Sequence, residues 1–147
     1  MATKGKLFTD GGARGNPGPA GIGGVLKIEA DSGETRTKSF KEYIGEATNN
    51  QAEYQALLAG LRLAAELKVE ELIVNLDSEL IVKQLRGEYK VKNVDLKPLF
   101  AEVLKRTNQF SNISFQHVPR EKNTEADALV NKALDGKFDG QDFGNFH

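Results

Sequence analysis

An α/β domain is the fold class that this sequence predicts, and two observations predict it. Three strand-like stretches stand in close succession within residues 5–44, with turn signals between them, which suggests an antiparallel meander. From Thr48 onward, helical periodicity alternates with runs rich in Leu, Ile and Val. No repeat or linker interrupts this order, so one domain is expected over residues 1–134, followed by a C-terminal tail over 135–147. A chain of 147 residues is long enough to bury one real core.

The first strand, Leu7-Phe8-Thr9-Asp10, runs into Gly11-Gly12-Ala13-Arg14-Gly15-Asn16-Pro17-Gly18. Alternation puts Phe8 and Asp10 on one side and Leu7 and Thr9 on the other. The strand is expected to end at Asp10. A carboxylate then stands beside a glycine-rich turn with free N–H groups, a place for a cation and a phosphate to meet. A hairpin with Asp as a turn residue is the plainer alternative. The loop lacks the Gly-Lys-Ser/Thr ending of a P-loop and the Gly-x-Gly-x-x-Gly spacing of a dinucleotide site.

Residues 21–30 read as the second strand, around Val25, Leu26 and Ile28, and Asp31-Ser32-Gly33 as a turn. Residues 34–44 read as a more exposed strand with Thr35, Thr37, Ser39 and Lys41 on one face. Thr48-Asn49-Asn50-Gln51 opens a long helix reaching Lys68, capped by Thr48 or Asn49. Steps of three and four from Glu53 land on Ala56, Leu57, Gly60, Leu61 and Ala64. Glu53 therefore lies on or beside the buried face, where a carboxylate is costly unless paired or bound to a cation. A first-turn Glu complementing the helix dipole is the plainer reading.

Residues 71–76 form a strand that ends in Asp77-Ser78-Glu79, ahead of a helix over 80–86. Asp77 stands at a strand's carboxyl end, where α/β sheets place their ligands, unless it is a plain N-cap. A basic connection over 87–93 leads to a helix over 95–108, striped by Leu96, Leu99, Phe100, Val103 and Leu104, with Pro98 in its first turn. Residues 112–118 form a strand with Ile113 and Phe115 alternating, ended by Pro119. After the polar loop 120–123, a helix over 124–134 carries Ala126, Leu129, Val130 and Ala133 as its apolar stripe and Asp127 in its first turn. The stretch 135–147 holds three Asp, three Gly and three Phe, and reads as a loosely ordered tail pinned by Phe138, Phe143 or Phe146.

Composition narrows the function classes. Charged residues make up 28% and hydrophobic ones 39%, the profile of a soluble globular protein. No apolar run approaches the roughly 18 residues that span a bilayer. Residues 1–6 lack the apolar core of a secretory signal, and with no cysteine there are no disulfides or thiolate metal sites. A cytoplasmic protein without a membrane partner is expected, and any metal must use oxygen ligands or the two histidines. A net charge of −1 excludes a globally basic nucleic-acid binder. Over residues 83–97, five basic residues stand against two acids, which as charge alone is an ordinary solvated surface.

Asp10, Glu53, Asp77 and Asp127 share a setting: each sits at a strand end or early in a helix and borders core. Gathered in one place they would repel unless divalent cations neutralised them. Hard oxygen ligands of this kind suit Mg²⁺ or Mn²⁺. Two such ions about 3.5–4 Å apart can activate a water and stabilise a leaving oxygen in phosphodiester cleavage.

Through Thr9-Asp10-Gly11-Gly12 with Gly15-Asn16-Pro17-Gly18, Thr48-Asn49-Asn50-Gln51-Ala52-Glu53, Asp77-Ser78, Lys92-Asn93-Val94-Asp95-Leu96 and Asn123-Thr124-Glu125-Ala126-Asp127, the chain resembles a type 1 ribonuclease H over residues 5–134. The resemblance implies a ribonuclease H-like fold: a five-stranded mixed sheet, an antiparallel meander followed by parallel strands, flanked by helices. It implies endonucleolytic cleavage of the RNA strand of an RNA–DNA hybrid with two Mg²⁺, for which Mn²⁺ can substitute. By position, Asp10 would bridge both ions, Glu53 and Asp77 would complete the leaving-group ion, and Asp127 would hold the ion that activates water. Asn16, Asn49 and Asn50 would contact the hybrid's minor groove, where 2′-hydroxyls mark RNA. Thr48 would meet a phosphate, and Gly11, Gly12 and Gln51 belong to the same substrate-facing set.

In such enzymes a mobile loop before the last acid carries a histidine that assists proton transfer or product release. By position His117 would fill that role; its stretch also reads as strand, in which case His117 is structural and Arg120, in the loop proper, would take the role. The best-known bacterial relatives also insert a basic, Trp-rich helix and loop after the helix that follows Asp77. This chain has only Gly87-Glu88-Tyr89-Lys90-Val91 there and no Trp. Hybrid affinity is then expected to depend on Lys83, Arg86, Lys90 and Lys92 or on the tail, and to weaken steeply with salt. A monomer is expected, and cleavage of double-stranded RNA is left open. Two other readings compete: a catalytically silent hybrid- or RNA-binding domain on this fold, and a metal-dependent 3′–5′ exonuclease on a related one.

Overall fold

The computed structural model describes residues 3–142. Its order is β1 (Lys4–Ala13), β2 (Gly18–Glu29), β3 (Thr35–Ala47), α1 (Asn49–Glu66), β4 (Glu71–Leu76), α2 (Glu79–Leu85), α3 (Lys97–Thr107), β5 (Asn112–His117), one 3₁₀ turn (Arg120–Lys122) and α4 (Thr124–Asp142). The strands form one sheet in the order β3-β2-β1-β4-β5. β1, β2 and β3 pair antiparallel, and β4 and β5 join parallel to β1. The predicted five-stranded mixed sheet is what the chain forms.

The two faces of β1 go to different helices. Leu7 and Thr9 face α1, whose Gly60 lets both side chains pack against the helix axis. Leu7, Tyr54, Leu57, Leu61, Val74, Ile81 and Val103 are buried in the single large core between the sheet and α1–α3. The opposite face, which carries Phe8 and Asp10, receives α4. That helix rests on β2 at Gly23, where an added Cβ would lie 2.7 Å from the Leu129 Cβ and 2.8 Å from the Ala126 carbonyl oxygen.

Several expectations shift. The predicted strand end at Asp10 is overturned: β1 stays paired with β2 through Ala13↔Ala20, and the turn begins at Arg14. Gly11 serves packing rather than a turn, because its Cβ would fall 2.3 Å from the Ala52 backbone and hold α1 off the strand. The cap of α1 is Thr48, in a capping box with Gln51. The cap of α2 is Ser78, so Asp77 is free of that duty. Glu53 sits beyond the first turn of α1, and no acid stands in that turn. Leu104, placed in the apolar stripe of α3, is 43% exposed. Residues 135–142, read as tail, continue α4 to Asp142, and Asp135 pairs with Arg14 at 2.6 Å. The pinning roles of Phe143 and Phe146 lie outside the described residues, as does any contact of the Phe138 side chain. Among the described residues, no helix is long and apolar enough to cross a membrane.

Candidate active site

The parallel ladder between β1 and β4 stops at Phe8↔Asn75, while β1 runs on beside β2. The two strands therefore part just below Asp10 and Asp77, whose side chains share the face that α4 covers. This is the carboxyl end of the parallel β1–β4 ladder, the usual place for a ligand in such sheets. Glu53 arrives from the other side. With no side chain at Gly11, α1 lies against the strand and Glu53 Oε1 accepts a hydrogen bond from the Gly11 N–H at 2.8 Å.

Carboxylate oxygens of Asp10, Glu53 and Asp77 lie within 4.8 Å of one another. Burial pushes the Asp10 carboxyl up to about 6; repulsion from Asp77 and Asp127 adds to this, and a hydrogen bond from Glu53 offsets part of it. Glu53 lies well above the ordinary glutamate value, first because it is buried and next because Asp10 is beside it, with the Gly11 N–H pulling back. Asp10 and Glu53, both held above their ordinary values, meet Asp77 at one point, and the three form a donor set suited to a divalent cation. Asp127, exposed on the first turn of α4, stands outside that tight trio but faces the same cleft of about 460 Å³, with Asn49, Asn50, Ser78 and Arg120.

Asn123, read as part of a polar loop and of the Asn123-Thr124-Glu125-Ala126-Asp127 stretch that carries the resemblance, is buried at the centre of this arrangement. Its Nδ2 donates to the Thr9 carbonyl oxygen at 2.9 Å and to Asp77 Oδ2 at 3.0 Å. It thus fills the gap left where the β1–β4 ladder ends. Its own carbonyl oxygen accepts from the Asp127 N–H at 3.1 Å and starts α4. One residue therefore links the strand of Asp10, the carboxylate of Asp77 and the helix of Asp127. An Asn directly before a helix is a cap signal, and that signal was there to be read.

The remaining predicted residues divide by place. Gly11, Gly12, Asn49, Asn50 and Arg120 line the cleft. The N–H groups expected to cradle a phosphate are partly engaged within the fold, Gly11 on Glu53 and Ala13 on Asn49 Oδ1 at 2.8 Å. Asn16 sits behind Asn49, its Oδ1 accepting from the Asn49 N–H at 3.0 Å. Thr48 and Gln51 are engaged with each other at the helix cap. His117, at the exposed end of β5, is not among the cleft residues, whereas Arg120 is. Lys83, Arg86 and Lys90 lie away from the cleft: Lys83 holds Glu79 and Tyr89, and Arg86 Nε donates to the Phe115 carbonyl oxygen at 3.0 Å.

The reverse-transcriptase-like family model matches residues 8–133. A bifunctional protein of Mycobacterium tuberculosis is 48% identical over 129 residues, 88% of this chain but 35% of that protein. The chain thus spans about a third of that relative's length. The solved N-terminal RNase H domain of that protein superposes with a TM-score of 0.85 at 42% identity, covering 95% of this chain and 99% of that one. The ribonuclease HI of Halobacterium salinarum is 42% identical over 133 residues, 87% of this chain and 63% of that protein. LC11-RNase H1 from compost, solved in complex with an RNA/DNA hybrid, is 46% identical with a TM-score of 0.81, covering 91% of this chain and 99% of that one.

Proposed function

The chain belongs to the type 1 ribonuclease H family, and from that premise we propose that it is an endoribonuclease that cuts the RNA strand of RNA–DNA hybrids with the help of two divalent cations, Mg²⁺ or Mn²⁺ in its place. The observation that carries this reading is the meeting of Asp10, Glu53 and Asp77 within 4.8 Å where β1 and β4 part, with Asp127 on the same cleft. Asp10, Glu53 and Asp77 would hold one ion, and Asp10 with Asp127 the other. When bound, such cations supply a nucleophilic water and stabilise the leaving oxygen of a phosphodiester.

The chain's own residues do the rest. Asn123 keeps one oxygen of Asp77 on its amide and so turns that carboxylate toward Asp10. The Gly11 N–H fixes Glu53. Asn49 and Asn50, at the start of α1, present amide groups beside the acids at the position expected of a minor-groove contact. Arg120 also lines the cleft, where its guanidinium would meet a phosphate, while His117 is not among the cleft residues.

The test is cleavage of an end-labelled, uniform RNA–DNA hybrid beside matched double-stranded RNA, double-stranded DNA and single-stranded RNA, each with Mg²⁺, Mn²⁺ or EDTA. Internal cuts in the RNA strand of the hybrid that need metal are expected. Stepwise trimming from one end would replace this reading with an exonuclease, and binding without cutting under every metal condition would replace it with a silent binding domain.

A further inference from the structure

We propose that Arg14 is a substrate contact of the cleft, taking a backbone phosphate of the cut strand further along from the scissile one. The proposal rests on the hybrid-cutting reading above and names a binding residue for that same site.

Two elements run side by side to form this part of the cleft. Alternation puts Asp10 and Gly12 of β1 on the face that α4 covers, and Arg14, just past the strand, continues that row. The Arg14 N–H donates to the Pro19 carbonyl oxygen at 2.8 Å and so keeps the chain beside β2 for one more step. On α4, Asp127, Asn131 and Asp135 follow at i, i+4 spacing and share one side of the helix. At about 3.3 Å per residue, Arg14 lies roughly 13 Å beyond Asp10. At about 1.5 Å per residue, Asp135 lies roughly 12 Å beyond Asp127. The two rows keep in step, and they touch at both ends. Asp127 repels Asp10 and shares a side-chain hydrogen bond with it at one end. The Arg14 guanidinium meets Asp135 Oδ1 at 2.6 Å at the other. Between these ends stand Gly12 and Asn131, and both line the cleft. Gly12 has room that Gly11 lacks: the nearest atom to an added Cβ is Asn49 Oδ1 at 3.8 Å. The missing side chain leaves a trough open from the acids to Arg14.

Charge identifies what meets Arg14. The cleft is lined by four acids, Asp10, Glu53, Asp77 and Asp127, and by two cations, Arg14 and Arg120. A strand held at the acids and lying in the trough over Gly12 brings a later phosphate to Arg14. A guanidinium carries five donors in one plane, so it can hold a carboxylate on one edge and a phosphate on another. The Arg14 side chain is 39% exposed with the ion pair in place, so Asp135 sets its reach without covering it. Base edges and 2′-hydroxyls suit the amides of Asn49 and Asn50, whereas a permanent cation at the end of the trough suits a phosphate.

The experiment compares Arg14→Gln, Arg14→Lys and Asp135→Asn in the whole chain. Binding of a labelled RNA–DNA hybrid is followed by fluorescence anisotropy in EDTA over a salt series, and kcat and KM are measured with Mg²⁺. Arg14→Gln should raise Kd and KM on the order of tenfold, the scale of one charge-assisted contact. It should lower the salt slope by about 0.9, the value of one duplex phosphate. kcat should hold, because a contact away from the reacting atoms serves substrate and transition state alike. Arg14→Lys should keep the slope and recover part of the affinity, as a point charge without the planar fork. Asp135→Asn breaks the same ion pair but keeps the cation, so its slope should match wild type and its Kd should not rise as that of Arg14→Gln does. An unchanged slope in Arg14→Gln overturns the contact. So does an equal loss of affinity in Arg14→Gln and Asp135→Asn, which would make the pair a mere tie between α4 and the β1–β2 turn. If the wild type cuts no hybrid with any metal, the enzymatic reading fails separately, and the slope, read without cleavage, still decides Arg14.

Discussion

The inner carboxylates and the outer one are built in different ways. Asp10, Glu53 and Asp77 are fixed by the fold: a ladder that ends beneath them, a glycine that admits α1, and an amide from Asn123. Asp127 stands exposed on a helix that meets the strands through Gly23 and Asn123. The inner group is assembled before any ligand arrives, at a standing electrostatic cost. The outer acid adds to that cost through its repulsion of Asp10 and a side-chain hydrogen bond between the two. Preorganised charge of this kind trades stability for function.

The largest expected effect separates the two regions. Asp10→Asn should lower hybrid cleavage by about 10³-fold or more, the scale of losing a central charge-stabilising group. It should also raise the Tm of the metal-free protein, because it removes a crowded carboxylate. Asp127→Asn should cost activity as well but leave Tm nearly unchanged. Equal Tm changes in both variants would erase the distinction between inner and outer acids. A second break is at Asn123. Asn123→Ala removes the donor to Asp77 and the fill between the parted strands, and should reduce kcat/KM by about 10–100-fold, as loss of a partner behind a ligand does. Recovery in Asn123→Gln is not expected, since the longer side chain cannot reach both the Thr9 carbonyl oxygen and Asp77 from a buried position.

How much of this was legible in the sequence follows the same division. Strand and helix order came from periods of two and 3.6, and the four acids stood out because each borders an apolar run at what reads as a strand end or early in a helix. Gly11 misled, since the sequence cannot tell a glycine kept for a turn from one kept for a helix lying 2.3 Å from where its Cβ would be. Asn123 could not be placed, because its bond to the Thr9 carbonyl oxygen joins residues 114 apart in the chain. The length of α4 was hidden by Gly136 and Gly140, whose low helix propensity makes residues 135–142 read as tail. That Arg120 lines the cleft and His117 does not is a placement made by the fold rather than by spacing.

The inner region should also report its charge through pH. The Asp10 carboxyl is raised from 3.8 to about 6, so over that window the folded protein holds a proton that the unfolded chain has released. Stability should therefore be fully supported below pH about 4 and fall as pH rises through about 6. Glu53, raised in the same direction, extends the fall upward. A divalent cation would bind the ionised acids of the folded state, so the Tm gain from Mg²⁺ should grow as pH rises over this window. Thermal melts from pH 4 to 8, with EDTA and with Mg²⁺, for wild type and Asp10→Asn, read this directly. A wild-type curve that parallels the variant's would mean that Asp10 does not carry the effect.

The smallest effect tests whether support for the inner acids reaches one layer further into the core. Tyr54 follows Glu53 on α1, is fully buried, and donates its hydroxyl hydrogen to Gln84 Oε1 on α2 at 2.7 Å. Burial pushes the phenol up to about 12, so it remains a neutral donor at every pH of interest. Because Ser78, directly after Asp77, caps α2, this bond ties the helix of one inner acid to the helix that follows another. Tyr54→Phe keeps the ring and leaves the Gln84 oxygen buried without that partner, which should cost about 1–2 kcal/mol, or roughly 3–8 °C in Tm. The Gly11 N–H and Asn123 hold the acids independently of this bond, so kcat below the melting range should stay near wild type. A fall in kcat at unchanged KM and unchanged Tm would instead make Tyr54 a positioning residue for Glu53, and would move the boundary of the inner region from the cleft wall into the core between α1 and α2.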